Sequence, residues 1–172
     1  DLLLLYKSST DLPSGGPEGS GVMNIVSLKD RTRPVFLRQE SGLGWPFSAT
    51  ESRLFIGDKS DNSRVRILDL NQDGSMSEVA SFHAMGSVRS LLAVDQRLIV
   101  VEGSTLVVMD TADVKSVRRL GKIDIGKSAI TSLVGSGHFV YVGFIDPRIP
   151  RIMSIDLTNP QTPLVAGRYD TG

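Results

Sequence analysis

Few residues in this chain could do chemistry, and each group that could also fits an ordinary structural role. The most suggestive run is Asp69-Leu70-Asn71-Gln72-Asp73-Gly74. Its alternating carboxylates and amide offer hard oxygen ligands in the pattern that opens a calcium loop. A bidentate acid belongs at the twelfth position of such a loop, but Ala80 stands there and Glu78 comes two residues early. An Asp-Gly hairpin turn accounts for the same residues. Calcium held by Asp69, Asn71 and Asp73 is therefore one expectation, and a simple turn is the other. His83 and His138 are the only histidines. They fall at non-equivalent places, and no partners can be placed beside them for a zinc site or a Ser-His-Asp triad. They read as surface or turn histidines. The chain has no cysteine, so thiol catalysis, disulfides and thiolate-held metal are excluded.

What would position any of these groups is a repeat. Its anchor is the polar residue that closes one strand of each unit: Ser27, Asp69, Asp110 and Asp156, at steps of 42, 41 and 46 residues. The preceding strands LFIG, LIVV and FVYV, from Leu54, Leu98 and Phe139, step by 44 and 41, and Ser48, Ser90 and Ser132 step by 42 and 42. A period of about 40–45 residues marks a propeller blade. Each unit reads as four short strands, a to d, separated by the Gly, Asn, Asp and Ser that tight turns need. Strands a and b carry near-continuous apolar runs, as strands covered on both faces do. No stretch has a long helical period. The predicted fold is all-β, a propeller of about four four-stranded antiparallel blades spanning roughly residues 1–41, 42–85, 86–127 and 128–172. Four-stranded sheets of this kind bury their faces by packing on one another. The expected core is Leu54, Phe55, Ile56, Ile67, Leu68, Leu98, Ile99, Val100, Val107, Val108, Val140, Val142, Ile152 and Ile155.

Within that frame three residues form one column on strand a, the strand that lines a propeller's channel: Phe47, Arg89 and Thr131. A charge on an innermost strand must be paired or wet, and an arginine there could grip an anionic group. Its alternative role is to bond loop carbonyls. Trp45, the single tryptophan, is either a wedge between blades or part of a surface on which a ligand stacks. Lys115, Arg118 and Arg119 cluster on an outer strand, where charge discourages edge-to-edge pairing.

Lys+Arg equals Asp+Glu at 19 each, so nothing in the net charge favours nucleic acid or an anionic membrane. Leu2 to Leu5 is too short to span or insert in a membrane and reads as a strand b. The Gly-, Ser- and Pro-rich run 8–21 is a long b–c loop, and 143–150 is a stiffer one with two prolines. By this reading the first unit lacks its strand a and nothing at the other end supplies it. Fifteen strands are expected, in part of a larger propeller of about six to eight blades. The remaining blades would come from the same or another chain, and apolar faces would otherwise lie bare.

The last unit, Met153-Ser-Ile-Asp-Leu-Thr-Asn-Pro-Gln-Thr-Pro-Leu-Val-Ala-Gly-Arg-Tyr-Asp-Thr-Gly172, resembles the LVIVD repeat, a propeller repeat of bacterial and archaeal proteins that are often exported. The units around Arg33-Pro34 and Thr111-Ala112-Asp113 match in part. The Asp69 unit departs most, with NQDGSMSE in place of the Asn-Pro turn. The resemblance implies a propeller and an extracytoplasmic setting, and no particular reaction, since propellers host many functions. The expected function is a non-catalytic interaction module binding a protein or polysaccharide. The alternative is an enzyme or metal-dependent propeller with its site at the channel mouth.

Overall fold

The computed structural model describes residues 2–8, 21–58, 60–126, 129–145 and 151–170 of the chain. The fold is an all-β propeller of four antiparallel sheets, in each of which every strand pairs with the next in sequence. The first sheet holds β1 (Leu2–Ser8), β2 (Gly21–Ser27) and β3 (Val35–Leu43). The second holds β4 (Phe47–Ala49), β5 (Arg53–Gly57), β6 (Arg64–Leu70) and β7 (Met76–His83). The third holds β8 (Val88–Val94), β9 (Arg97–Glu102), β10 (Thr105–Asp110) and β11 (Arg118–Asp124). The fourth holds β12 (Ala129–Ser136), β13 (Phe139–Ile145), β14 (Arg151–Asp156) and β15 (Leu164–Asp170). Among the described residues no helix is long and apolar enough to cross a membrane. The predicted 8–21 loop falls almost wholly outside the described residues, as does the proline-bearing part of 143–150.

The chain divides into two compact units, Asp1–His83 and Ala84–Gly172, with two sheets in each. Their cores follow from the pleat. Alternate residues of a strand point to opposite faces, so a sheet that packs on a neighbour needs apolar residues at every second position. The anchors mark that phase. Ser27, Asp69, Asp110 and Asp156 sit opposite Leu2, Arg53, Arg97 and Phe139. Counting back from each anchor, the second and fourth residues share a forward face: Ile25 and Met23, Ile67 and Val65, Val108 and Leu106, Ser154 and Ile152. The first and third residues past the anchor's partner lie on the rear face: Leu3 and Leu5, Leu54 and Ile56, Leu98 and Val100, Val140 and Val142. In the first unit Met23 and Ile25 pack with Leu54 and Ile56. In the second, Leu106 and Val108 pack with Val140 and Val142. Each unit is thus a forward face seated on the next sheet's rear face.

The pairing corrects two sequence-level expectations. Val140, not Phe139, is the counterpart of Leu54 and Leu98, because Phe139 stands opposite the anchor where the second and third sheets place arginine. A slip of one residue moves a side chain to the other face, and an apolar residue in an arginine's place hid the slip. Ile152, expected in the core, is 44% exposed, while every other residue of that expected set is buried. It pairs with Gly143 and Tyr169 on the forward face of the fourth sheet, away from Met153 and Ile155.

One feature recurs in all four sheets. The outermost strand carries a β-bulge at Leu37, Val79, Leu120 and Ala166, each left without a ladder partner. These positions step by 42, 41 and 46 residues, as the anchors do. A bulge adds local twist and re-aims a side chain. Here it turns Leu37 and Leu120 onto the cores of their units.

Candidate functional site

The acidic residues with the most regular spacing serve the turns. Asp156 Oδ1 accepts hydrogen bonds from Thr158 N and Oγ1 at 2.7 and 2.6 Å. Asp110 Oδ1 accepts from Ala112 N at 3.1 Å, and Ser27 Oγ from Lys29 N at 3.3 Å. Three residues beyond these anchors a second capped turn follows. Asp30 Oδ1 accepts from Thr32 N, Asp113 Oδ1 from Lys115 N, and Asn159 Oδ1 from Gln161 N. Their carbonyls in turn accept from Arg33, Ser116 and Thr162. Side-chain capping of this kind is what Asp and Asn do in tight turns. The donors stabilise the charged carboxylate. The Thr158 hydroxyl and N–H hold Asp156 below the ordinary 3.8, and the Thr32 hydroxyl and N–H do the same for Asp30. Asp110 is lowered first by the Ala112 N–H and then by Arg118.

The would-be calcium residues lie in the one hairpin that departs from this plan. Asp69 Oδ1 faces Arg53 Nε at 3.5 Å. Asn71 Nδ2 donates to Ser75 Oγ at 2.9 Å, and Asp73 Oδ1 accepts from Ser75 Oγ and N at 2.6 and 2.9 Å. All three side chains thus have protein partners, two of them within the turn. Among the described residues no three His, Asp or Glu side chains are grouped to hold a metal ion.

The strand-a column is found at the starts of β4, β8 and β12, and two of its members are bulges. Arg89 and Thr131 are each passed over by the ladder to the next strand. That removes both side chains from the alternating pattern and leaves them exposed. Arg89 Nη1 donates to the Gly103 carbonyl at 3.3 Å. Phe47 remains in register, opposite Ile56, and its ring meets Trp45 edge-on, centroids 5.5 Å apart at 78°. The Trp45 side chain is 62% exposed, so it is not the buried wedge that one reading made it. Its backbone is the fixed part. Gly57 N donates to the Pro46 carbonyl at 2.8 Å, and a Cβ on Gly57 would come within 2.7 Å of the Trp45 carbonyl oxygen. The first unit therefore holds an indole outward on the tightly packed bend between β3 and β4.

The second unit contributes two polar features that no motif announced. Glu102 is 8% exposed, a buried acid at the end of β9. Its Oε1 accepts from Arg119 Nη2 at 2.8 Å and its Oε2 from Met85 N at 2.6 Å, so the buried charge is fully partnered. Between the third and fourth sheets opens a cleft of about 540 Å³. Ile125, Phe144 and Met153 line it together with Arg151, Arg168 and Asp170. Arg151 Nε pairs with Asp170 at 3.2 Å. The sequence hid both features, because each joins residues from different strands.

No family model and no curated protein matches the chain. Solved structures do. One is a protein from Lactobacillus plantarum, 12% identical with a TM-score of 0.66 over 98% of this chain and 53% of its own. Another is a functionally unknown protein from Desulfotomaculum acetoxidans, 15% identical with a TM-score of 0.64 over 97% of this chain and 56% of its own. At these identities the likeness is one of fold. The chain spans about half the length of each.

Proposed function

We propose that this chain is a non-catalytic propeller module of the LVIVD-repeat type, acting outside the cytoplasm and binding a polysaccharide or protein partner through the surface around Trp45. The observation that carries the reading is the exposed indole itself. Tryptophan is costly to leave in water, and an aromatic ring fixed at the surface is a common anchor of recognition sites. Phe47 limits the ring's freedom from one side, so less conformational entropy would be lost on binding. The turn caps support the repeat assignment: Ser or Asp at the anchor and Asp or Asn three residues later make the same bonds in three of the four units. Absence of cysteine is in keeping with many bacterial envelope proteins.

Trp45 is the only tryptophan, so its emission reports on this surface alone. Titration with a panel of soluble polysaccharides and peptides should give a saturable change in emission for one class. Trp45→Ala should abolish the same binding measured by calorimetry, without loss of the folded state. Flat titrations throughout, with a melting temperature raised only by a divalent metal, would instead support the metal-dependent alternative.

A further inference from the structure

The turn between β2 and β3 is built like its counterparts in the third and fourth sheets but is charged in the opposite sense. From Ser27 to Arg33 it carries Lys29, Arg31 and Arg33 against one acid, Asp30. The same seven positions hold two acids and no base at Asp69–Ser75, two acids and one lysine at Asp110–Ser116, and one acid and no base at Asp156–Thr162. The anchor changes in the same direction, from Asp to the neutral Ser27. The scaffold does not change. Lys29 N on Ser27 Oγ and Thr32 N on Asp30 Oδ1 are the two caps that the third and fourth sheets also make. Those turns form with Ala112 and Ser116, or Thr158 and Thr162, where this one has Lys29 and Arg33. Folding of the turn therefore does not call for the two cations.

Nor does the rest of the unit use them. Arg38, Arg53, Arg64 and Arg66 each pair with a carboxylate, whereas among the described residues the Arg33 guanidinium and the Lys29 ammonium meet none. Both line one hollow of about 540 Å³ with Ser27, Asp30, Val35 and Leu37. Val35 pairs with Ser27, and Leu37 packs on the core with Met23 and Ile25, so the hollow opens on the side of the sheet that faces the second sheet of the same unit. Its one carboxylate is already engaged: Asp30 Oδ1 accepts from Thr32 N and Oγ1 at 2.9 and 2.7 Å. We infer that this hollow binds the phosphate or sulfate ester group of a small molecule, with Arg33 and Lys29 on the ester oxygens and Val35 and Leu37 against the body of the ligand. A guanidinium fork matches two oxygens of such a group, and an ammonium adds a point charge for a third. The volume suits a ligand of sugar-phosphate size. The hollow and Trp45 lie beyond opposite ends of β3, so this site is separate from the Trp45 surface.

The test is calorimetric titration of the 172-residue chain with glucose 6-phosphate and glucose 6-sulfate, with glucose as the neutral control and inorganic phosphate as the bare anion. Saturable binding of at least one ester is expected, the stronger of the two naming the group preferred. Inorganic phosphate should bind more weakly than the ester, and glucose should not bind. Arg33→Gln and Lys29→Gln should each weaken ester binding by roughly tenfold or more, as loss of a charged hydrogen-bond donor does. Neither side chain has a carboxylate partner, so thermal melting of both variants without ligand should match the parent. Arg33→Lys keeps the charge but loses the fork, and should recover only part of the affinity. Arg66→Gln removes a charge elsewhere in the unit and Trp45→Ala removes the indole; both should leave ester binding intact. No saturable binding of either ester at millimolar concentration overturns the inference. So does an equal loss in Arg66→Gln and Arg33→Gln, which would mean general attraction of an anion, or binding of glucose as tight as that of its esters.

Discussion

At the scale of the residue, the carboxylates of this protein are structural parts before they are chemical ones. Asp30, Asp58, Asp61, Asp73, Asp110 and Asp156 all titrate below the ordinary carboxylate value of 3.8. For all but Asp110 the hydroxyl of a Ser or Thr two residues on is the largest cause; for Asp110 it is the Ala112 N–H. Because the folded values are depressed, the stability these groups contribute is present above pH 3.8 and is lost as the pH falls through the folded values. The urea midpoint should therefore be flat near neutrality and decline once the pH drops below about 4. Asp156→Asn keeps the capping oxygen and removes the titration, so its acid decline should be shallower than the parent's. An identical decline in variant and parent would mean the Thr158 bonds add nothing to the folded state.

At the scale of the element, the outer strand of each sheet is shaped by what it meets as much as by its own sequence. β11 shows this at Gly121. A Cβ there would fall within 2.6 Å of the Gln161 carbonyl oxygen and would also meet that of Pro160. Both atoms belong to the turn between β14 and β15, whose backbone is fixed by the Asn159 bonds to Gln161 and Thr162. Neither can swing aside as a side chain would. Gly121→Ala is expected to destabilise the second unit by about 1–3 kcal/mol through overpacking. Thermal unfolding would measure it. Gly103→Ala is a poor control because its φ is +60°, whereas a Cβ on Gly86 would meet only the Glu102 Cβ, at an ordinary 4.0 Å, and its φ is not positive, so Gly86→Ala should cost far less. The bulges at Leu37, Val79, Leu120 and Ala166 belong to the same scale. At Leu37 and Leu120 they keep one apolar residue of an otherwise largely exposed strand pointed at a core.

At the scale of the whole molecule, a residue's energy depends on whether another sheet covers its face. Ile99 and Ile152 are both isoleucines on forward faces of central strands. Ile99 lies at 0% exposure inside the second unit's core, and Ile152 is open at 44%. Ile99→Ala should cost about 2–5 kcal/mol of folding stability, as truncation in a packed core does. Ile152→Ala should change the folding stability by about 0.5 kcal/mol or less. Equal losses in dilute denaturant melts would show that the fourth sheet's forward face is covered within the single chain.

The recurrence of Ser27, Asp69, Asp110 and Asp156 determined the number of sheets, the meander order of their strands and most of the core, because an anchor and a two-residue pleat are both local properties. The central strands were legible for the same reason: Leu98-Ile-Val-Val101 is apolar on both sides only if both sides are covered. The tertiary structure decided what locality cannot carry. Phe139 was one residue out of phase because only the hydrogen bonds to Asp156 set the register. Arg89 and Thr131 left the pleat through bulges that no residue type announces. The Arg119–Glu102 pair joined residues 17 apart, and Ile152 lay exposed because burial belongs to a pair of faces. A strand's sequence shows that its side chains need covering, and only the arrangement of neighbours determines which of them are covered.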